Sequence, residues 1–259
     1  DGRLHALDPA TGHRRWTATT EGQILGGPNW APGPPALVLV GSYDNRLHAF
    51  DAATGARVWA YETANYVNGI PAIGDGVALV GGCDERVHIV ALSNGVGRAA
   101  VPAGSYVAAS PAVRGNQAYV GHYQGEVLGL DIVRGSVLWR FRPESAPPFY
   151  ASVAATATRV LAASRQEGVV YALSRADGRL VWSHRAGGGI DSAPVVADDR
   201  VVIGSQDGRV SMLRFDTGEQ VWSYLVGSPV SAPTAVVDGW IVAVAEDGGV
   251  SAFGEAPSR

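Results

Sequence analysis

The chain reads as an all-β protein, a β-propeller of four-stranded antiparallel blades, and three observations in its 259 residues lead there. Five tryptophans, Trp16, Trp59, Trp139, Trp182 and Trp222, lie 43, 80, 43 and 40 residues apart, so a unit of about 40 residues recurs with one tryptophan skipped. A turn pair recurs in step with them, as Asp1-Gly2, Asp44-Asn45, Asp84-Glu85, Gln124-Gly125, Glu167-Gly168, Asp207-Gly208 and Asp247-Gly248. The segments between are short, apolar and turn-bounded, and no stretch has the period of a helix. A repeat of that length built of short strands corresponds to one propeller blade.

Each unit divides into four strands. The first is a small-residue entry strand, such as Ser192-Ala193-Pro194-Val195-Val196, with the proline position repeated at Pro28, Pro71, Pro111 and Pro233. A turn leads to the second, as in Arg200-Val201-Val202-Ile203-Gly204-Ser205. The recurring pair then opens the third, as in Leu4-His5-Ala6-Leu7-Asp8; Asp-Gly and Asn-containing pairs accept the positive φ of tight hairpins. The fourth carries the tryptophan, as in Arg57-Val58-Trp59-Ala60-Tyr61.

Seven copies of the third strand but only six of the others leave two blade numbers open. Seven blades require an incomplete first one; six would close if the strands near 231–245 joined those near 4–18. The unbroken repeat makes residues 1–259 a single propeller domain. A start at a mid-blade turn, without Met, leads us to expect a domain of a larger protein.

A net charge of −4 and a pI near 5.9 lack the basic excess that binding a phosphate backbone requires, which excludes nucleic acid as a main partner. No segment approaches the roughly 20 apolar residues of a membrane span. All 20 basic residues are arginine, a composition bias and not a site. Cys83 is the sole cysteine, so no intrachain disulfide forms.

Around the first two tryptophans the chain reads Ala6-x-Asp8-x-x-Thr11-Gly12-x-x-x-Trp16 and Ala49-x-Asp51-x-x-Thr54-Gly55-x-x-x-Trp59. Looser copies follow at Gly129, Asp131, Gly135 and Trp139, at Ala172, Gly178 and Trp182, and at Thr217, Gly218 and Trp222. In the third unit Asn94-Gly95 stands in a shortened turn and Arg98 falls near the expected tryptophan. This pattern resembles the tryptophan docking motif of the PQQ-like propeller repeat family. That family includes quinoprotein dehydrogenases, the B subunit of the outer-membrane β-barrel assembly machinery and extracytoplasmic domains of bacterial serine/threonine kinases. The tryptophans are expected to fasten neighbouring blades, each indole covering a blade junction and donating its N–H to a backbone carbonyl.

The resemblance implies, for its dehydrogenase members, PQQ and calcium over the propeller centre and in many a pair of adjacent cysteines. One cysteine makes that pair impossible, and the connections are short. Most acidic residues belong to turns, where they cap backbone N–H groups. His5, His48 and His88 recur at one third-strand position, too far apart in successive blades to share a metal, and are expected to face solvent. Gly187-Gly188-Gly189 lacks the strand-to-helix context of a phosphate loop. No cofactor, metal or catalytic residue is therefore expected.

In a propeller the loops entering the innermost strand ring one mouth of the channel. Counting back from the entry prolines gives Gln23, Tyr66, Asn68, Tyr106, Tyr150 and Asp191 as candidate contact residues, with tyrosines suited to interfaces or to plugging the channel. Trp30, in a proline-rich segment, and the aromatic- and arginine-rich residues 140–150 offer a second surface. The expected role is a non-catalytic binding or sensing module, a monomeric protein-interaction scaffold or ligand sensor of bacterial type; the resemblance favours an extracytoplasmic site. The alternative is a quinoprotein-like oxidoreductase domain binding PQQ.

Overall fold

A computed structural model describes residues 1–145 and 147–254. Two compact units are distinguished, Asp1–Tyr123 with Leu130–Leu138, and Gln124–Gly129 with Trp139–Arg259. All named elements are strands, arranged in seven antiparallel sheets whose strands follow one another in chain order. This is the blade arrangement of a β-propeller, as the repeat requires.

The first sheet pairs β1 (Arg3–Leu7) with β2 (Arg14–Thr19). The second runs β3 (Asn29–Ala31), β4 (Leu37–Gly41), β5 (Arg46–Asp51) and β6 (Arg57–Glu62). The third contains β7 (Ala72–Gly74), β8 (Val77–Gly81), β9 (Arg86–Ala91) and β10 (Gly97–Pro102). The fourth follows with β11 (Ala112–Arg114), β12 (Gln117–Gly121), β13 (Val127–Asp131) and β14 (Ser136–Phe141). The fifth has β15 (Ala154–Ala155), β16 (Arg159–Ser164), β17 (Val169–Ser174) and β18 (Leu180–Arg185). The sixth has β19 (Val195–Ala197), β20 (Arg200–Gly204), β21 (Arg209–Arg214) and β22 (Gln220–Leu225). The last has β23 (Ala235–Val237), β24 (Trp240–Val244) and β25 (Val250–Phe253).

Among the described residues there are seven sheets, the first with two strands and the last with three. The six-blade alternative needs strands near 231–245 on the sheet of residues 4–18, but β24 pairs with β25 instead, Ala243 opposite Ser251.

The recurring turns take the geometry their residues suggest: Asn45 and Glu85 have φ of 68° and 65°, in line with Gly208 at 80°. The Thr-Gly turns are closed by side chains. Asp51 Oδ1 accepts from the amides of Ala53 and Thr54 and from the Thr54 hydroxyl, at 2.8–3.0 Å. The Thr54 amide and hydroxyl hold the Asp51 carboxyl below its usual range. At Asp8 the Arg15 guanidinium leads the same effect.

Four indoles reach from one sheet to the next. Nε1 donates to a backbone carbonyl from Trp16 to Ala52 (3.0 Å), Trp59 to Leu92 (2.9 Å), Trp139 to Arg175 (3.1 Å) and Trp182 to Phe215 (2.8 Å). Trp59, Trp139 and Trp182 are buried, each 8% exposed, and Trp16 and Trp222 are half-buried. The third unit departs from the others, as its sequence indicates. Arg98 is exposed, and Ala99 holds the indole's register position, paired with Ile89 where Trp59 is paired with Ala49. A fully buried Ile89 supplies the bulk that the indole supplies elsewhere.

The histidines correct the sequence reading. His5 is exposed as expected, but His48 and His88 are buried at 0% and 4% exposure. The reason is a hydrogen bond across the preceding turn: His48 Nε2 lies 2.8 Å from Asp44 Oδ2, and His88 Nε2 2.9 Å from Asp84 Oδ2. A carboxylate only accepts, so Nε2 carries the proton and Nδ1 is left as acceptor. Tyr61 Oη, 3.1 Å away, satisfies His88 Nδ1. Glu167 and Tyr171 repeat the pairing at 2.7 Å, and burial together with that carboxylate pushes the phenol up to about 12.

Candidate functional site

Among the described residues, the entry loops are tied to the ends of five second strands by one recurring backbone bond. Tyr43 N–H donates to Gln23 O (2.9 Å), Cys83 to Tyr66 (2.9 Å), Tyr123 to Tyr106 (3.1 Å), Gln206 to Gly189 (2.8 Å) and Glu246 to Pro229 (2.9 Å). Beside these bonds the strands approach so closely that only glycine fits. A Cβ on Gly41 would lie 2.5 Å from Val67 Cγ1, and one on Gly81 2.3 Å from Val107 Cγ1. Val67 and Val107 directly follow Tyr66 and Tyr106 and are fully buried, so the valines anchor the loops while the tyrosines face outward.

In the unit of Asp1–Tyr123 this tier is aromatic. Tyr43 and Tyr66 stack with ring centroids 4.4 Å apart and planes within 5°; Tyr106 meets Tyr123 edge-on at 6.4 Å. Tyr66, Tyr106 and Tyr123 stay 44%, 49% and 46% exposed. Gln23 is exposed, and half-buried Asn68 donates its amide to Cys83 Sγ at 3.3 Å. Burial, then Asp84, pushes the Cys83 thiol up.

In the second unit the same tier is polar. Asp191 accepts from Arg165 Nε at 3.0 Å and from the Gln206 amide, and Ser231 donates to Glu246. Tyr150 is exposed there, while Tyr171 packs against Phe149 and Phe141. Trp30 stands on β3 with its ring exposed and, among the described residues, shares no hydrogen bond or ring contact with the tier.

The structure thus joins Gln23 to Tyr43, Tyr66 to Tyr43 and Cys83, Tyr106 to Tyr123 and Asp191 to Arg165 and Gln206. Tyr43, Cys83, Tyr123, Arg165, Gln206 and Glu246 escaped the sequence reading, though a signal existed. They recur at 40 to 42 residues, and four of them stand two residues after Gly41, Gly81, Gly121 and Gly204.

The donor set does not fit PQQ with calcium. The turn carboxylates are committed to backbone N–H groups, Asp191 is paired, and the lone thiol is held by Asn68. Among the described residues one cluster, Glu21, Asp44 and His48, has ligand atoms within 4.8 Å of one another. Its members are already engaged, Glu21 with Arg57 at 3.2 Å and Asp44 with His48 and the Glu21 amide. Burial raises the Asp44 carboxyl, but the His48 bond and charge outweigh it and hold it below its usual value. For His48 burial dominates the pull of Asp44 and lowers it. These groups suit a structural hydrogen-bond chain.

No helix among the described residues is long and apolar enough to cross a membrane. Comparison with curated proteins gave no match. Among solved structures the chain is similar to the computationally designed Ika8 protein, at 20% identity and a TM-score of 0.78 over 92% of this chain and 73% of that one. It is also similar to BamB from Moraxella catarrhalis, at 18% identity and a TM-score of 0.63 over 96% and 88%. Both likenesses show the fold. A family model described as outer membrane protein assembly factor BamB matches residues 1–148 and 133–255, and the chain belongs to that family.

Proposed function

We propose that the chain is a non-catalytic interaction module that holds a protein partner against the tyrosine tier of the Asp1–Tyr123 unit, as a scaffold or an extracytoplasmic sensor. The observation that carries this reading is the pairing of exposed tyrosines on loops anchored by buried valines. Rings already ordered by stacking lose little entropy on contact, and each offers apolar area with a hydroxyl at its tip. Such residues dominate the energetics of protein interfaces. The family's membership is consistent with protein partners, and the engaged carboxylates speak against chemistry at this surface.

A photo-crosslinking phenylalanine analogue placed at Tyr66, Tyr106 or Val133 in cells tests it. Val133 is 74% exposed and lies on the Thr-Gly turn side, so it serves as a control. One protein band crosslinked from Tyr66 and Tyr106 but not from Val133 is expected, and its loss from Tyr106 when Tyr66→Ala is added. Identical labelling from all three positions would refute the surface.

A further inference from the structure

We propose that a cavity in the Asp1–Tyr123 unit binds a small carboxylic acid with an apolar body, and that Arg98 holds its carboxylate. The cavity, of about 440 Å³, has Pro32, Pro34, Pro35, Val58, Leu92 and Arg98 in its walls. It is separate from the tyrosine tier. The tier is built from entry loops and the ends of second strands. The cavity is built from the β3–β4, β7–β8 and β9–β10 connections, which lie at the other end of the antiparallel strands.

Arg98 stands where the chain elsewhere provides an arginine with a carboxylate. In the first three sheets the residue just before the indole position, Arg15, Val58 or Arg98, falls at a register shift, and such a bulge re-aims the side chain. Seven residues earlier stand Asp8, Asp51 and Ala91. Arg15 is neutralised by that position, since its Nε and Nη2 both donate to Asp8 Oδ2, Nε at 3.2 Å. Ala91 pairs with Val77 as Asp51 pairs with Leu37, and brings no carboxylate. Arg98 is exposed and has no hydrogen bond or ion pair among the described residues. No other described residue of the cavity wall carries a charge.

The rest of the wall is apolar and preformed. Between the first and second strands the other sheets have two or three residues, whereas β3 and β4 are joined by residues 32–36. The longer connection contributes three prolines, whose fixed φ keeps the wall in place before a ligand arrives. Val58, 44% exposed, and half-buried Leu92 add aliphatic surface. A volume of this size with apolar walls and one charge aimed into it suits a small molecule. A guanidinium takes a carboxylate through two parallel N–H···O bonds, so the acid gives Arg98 what Asp8 gives Arg15, and its body covers apolar surface.

Phenylacetate is the probe, titrated into the isotope-labelled 259-residue chain and followed by amide chemical shifts in nuclear magnetic resonance. Saturable shifts are expected within residues 92–98, with an affinity about tenfold or more above that of neutral phenylacetamide. Arg98→Gln, at an exposed position, should erase this preference, and Arg98→Glu should reverse it in favour of phenethylammonium. Ala91→Asp should weaken the acid about tenfold or more by giving Arg98 the kind of partner that Arg15 has. If that variant does not fold by circular dichroism, the Arg98 variants decide. No saturable binding, equal affinity for acid and amide, or a preference that Arg98→Gln leaves intact overturns the proposal. So does tighter binding of an acetylated tripeptide ending in phenylalanine, since the cavity would then seat a chain terminus.

Discussion

Gly55 and Trp16 interlock: a Cβ added to Gly55 would lie 2.7 Å from the indole, and three residues before the glycine Ala52 accepts the indole N–H. Gly95 meets Trp59, Gly178 meets Trp139 and Gly218 meets Trp182 in the same way, each glycine at φ between 71° and 72°. One residue therefore serves two demands, since the turn needs positive φ and the ring needs the space of the missing side chain. The Thr-Gly turn and the tryptophan of the preceding unit are two halves of one fastening, which explains why they repeat together.

Truncating a buried indole should be costly. Trp59→Ala removes the bond to Leu92 and opens a cavity in a cluster that includes Leu47, Val67, Val80 and Val90, and is expected to destabilise by about 3–5 kcal/mol. Gly95→Ala, at φ 71° and 2.7 Å from the same ring, should destabilise by about 1–3 kcal/mol with the indole intact. Urea denaturation followed by far-UV circular dichroism measures both.

The exchange of bulk in the third sheet gives a double-mutant test. Ala99→Trp should overpack against Ile89 and cost about 1–3 kcal/mol. Ile89→Ala alone should cost about 2–5 kcal/mol through its cavity. Combined, they restore the size order of Ala49 and Trp59, and the pair should be more stable than the sum of the two losses by at least about 0.5 kcal/mol. Strict additivity in thermal denaturation would refute the complementarity.

Tyr61→Phe isolates the hydroxyl on His88. It leaves Nδ1 without its donor in a site that is 4% exposed, and a loss of about 1–3 kcal/mol is expected. In the sheet before, Ala18 stands at the place of Tyr61, two residues after the tryptophan, and His48 Nδ1 has no partner among the described residues. His48→Phe should accordingly cost less than His88→Phe in the same assay.

Stability should fall on mild acidification. Burial lowers both His48 and His88 below 6.5 despite Asp44, Glu21 and Asp84 nearby, with Arg57 and Arg86 adding in the same direction. The unfolded chain then binds protons near pH 6.5 that the folded chain does not, so stability rises with pH through the window below 6.5 and is lost as pH falls through it. Below about 3.8 the lowered Asp44 adds a second loss in the same direction. His88→Gln should reduce the dependence between pH 6.5 and 5 by up to about 1.4 kcal/mol per pH unit. A midpoint flat across that range would contradict it.

Elements defined by neighbours in the chain were legible in the sequence. The Asp44-Asn45 and Asp84-Glu85 turns, the strand order and the repeat follow from backbone preference and from apolar alternation, both local properties. Side-chain direction across a turn was less so. Asp44 with His48 and Asp84 with His88 repeat a four-residue spacing that marked a bond, yet a polar residue at one position suggests solvent until its partner is seen. Asp191 was similarly chosen as a contact residue without the Arg165 and Gln206 that engage it.

By itself the sequence determined the all-β class, the period of the sheets and the identity of their fastenings, because turn chemistry and strand alternation act over a few residues. Only the tertiary structure decided that Ala99 holds the indole position of the third unit and that Tyr43 stacks on Tyr66. Those facts depend on register and on approach between residues distant in the chain. A shift of one position reverses which side chain meets the neighbouring sheet.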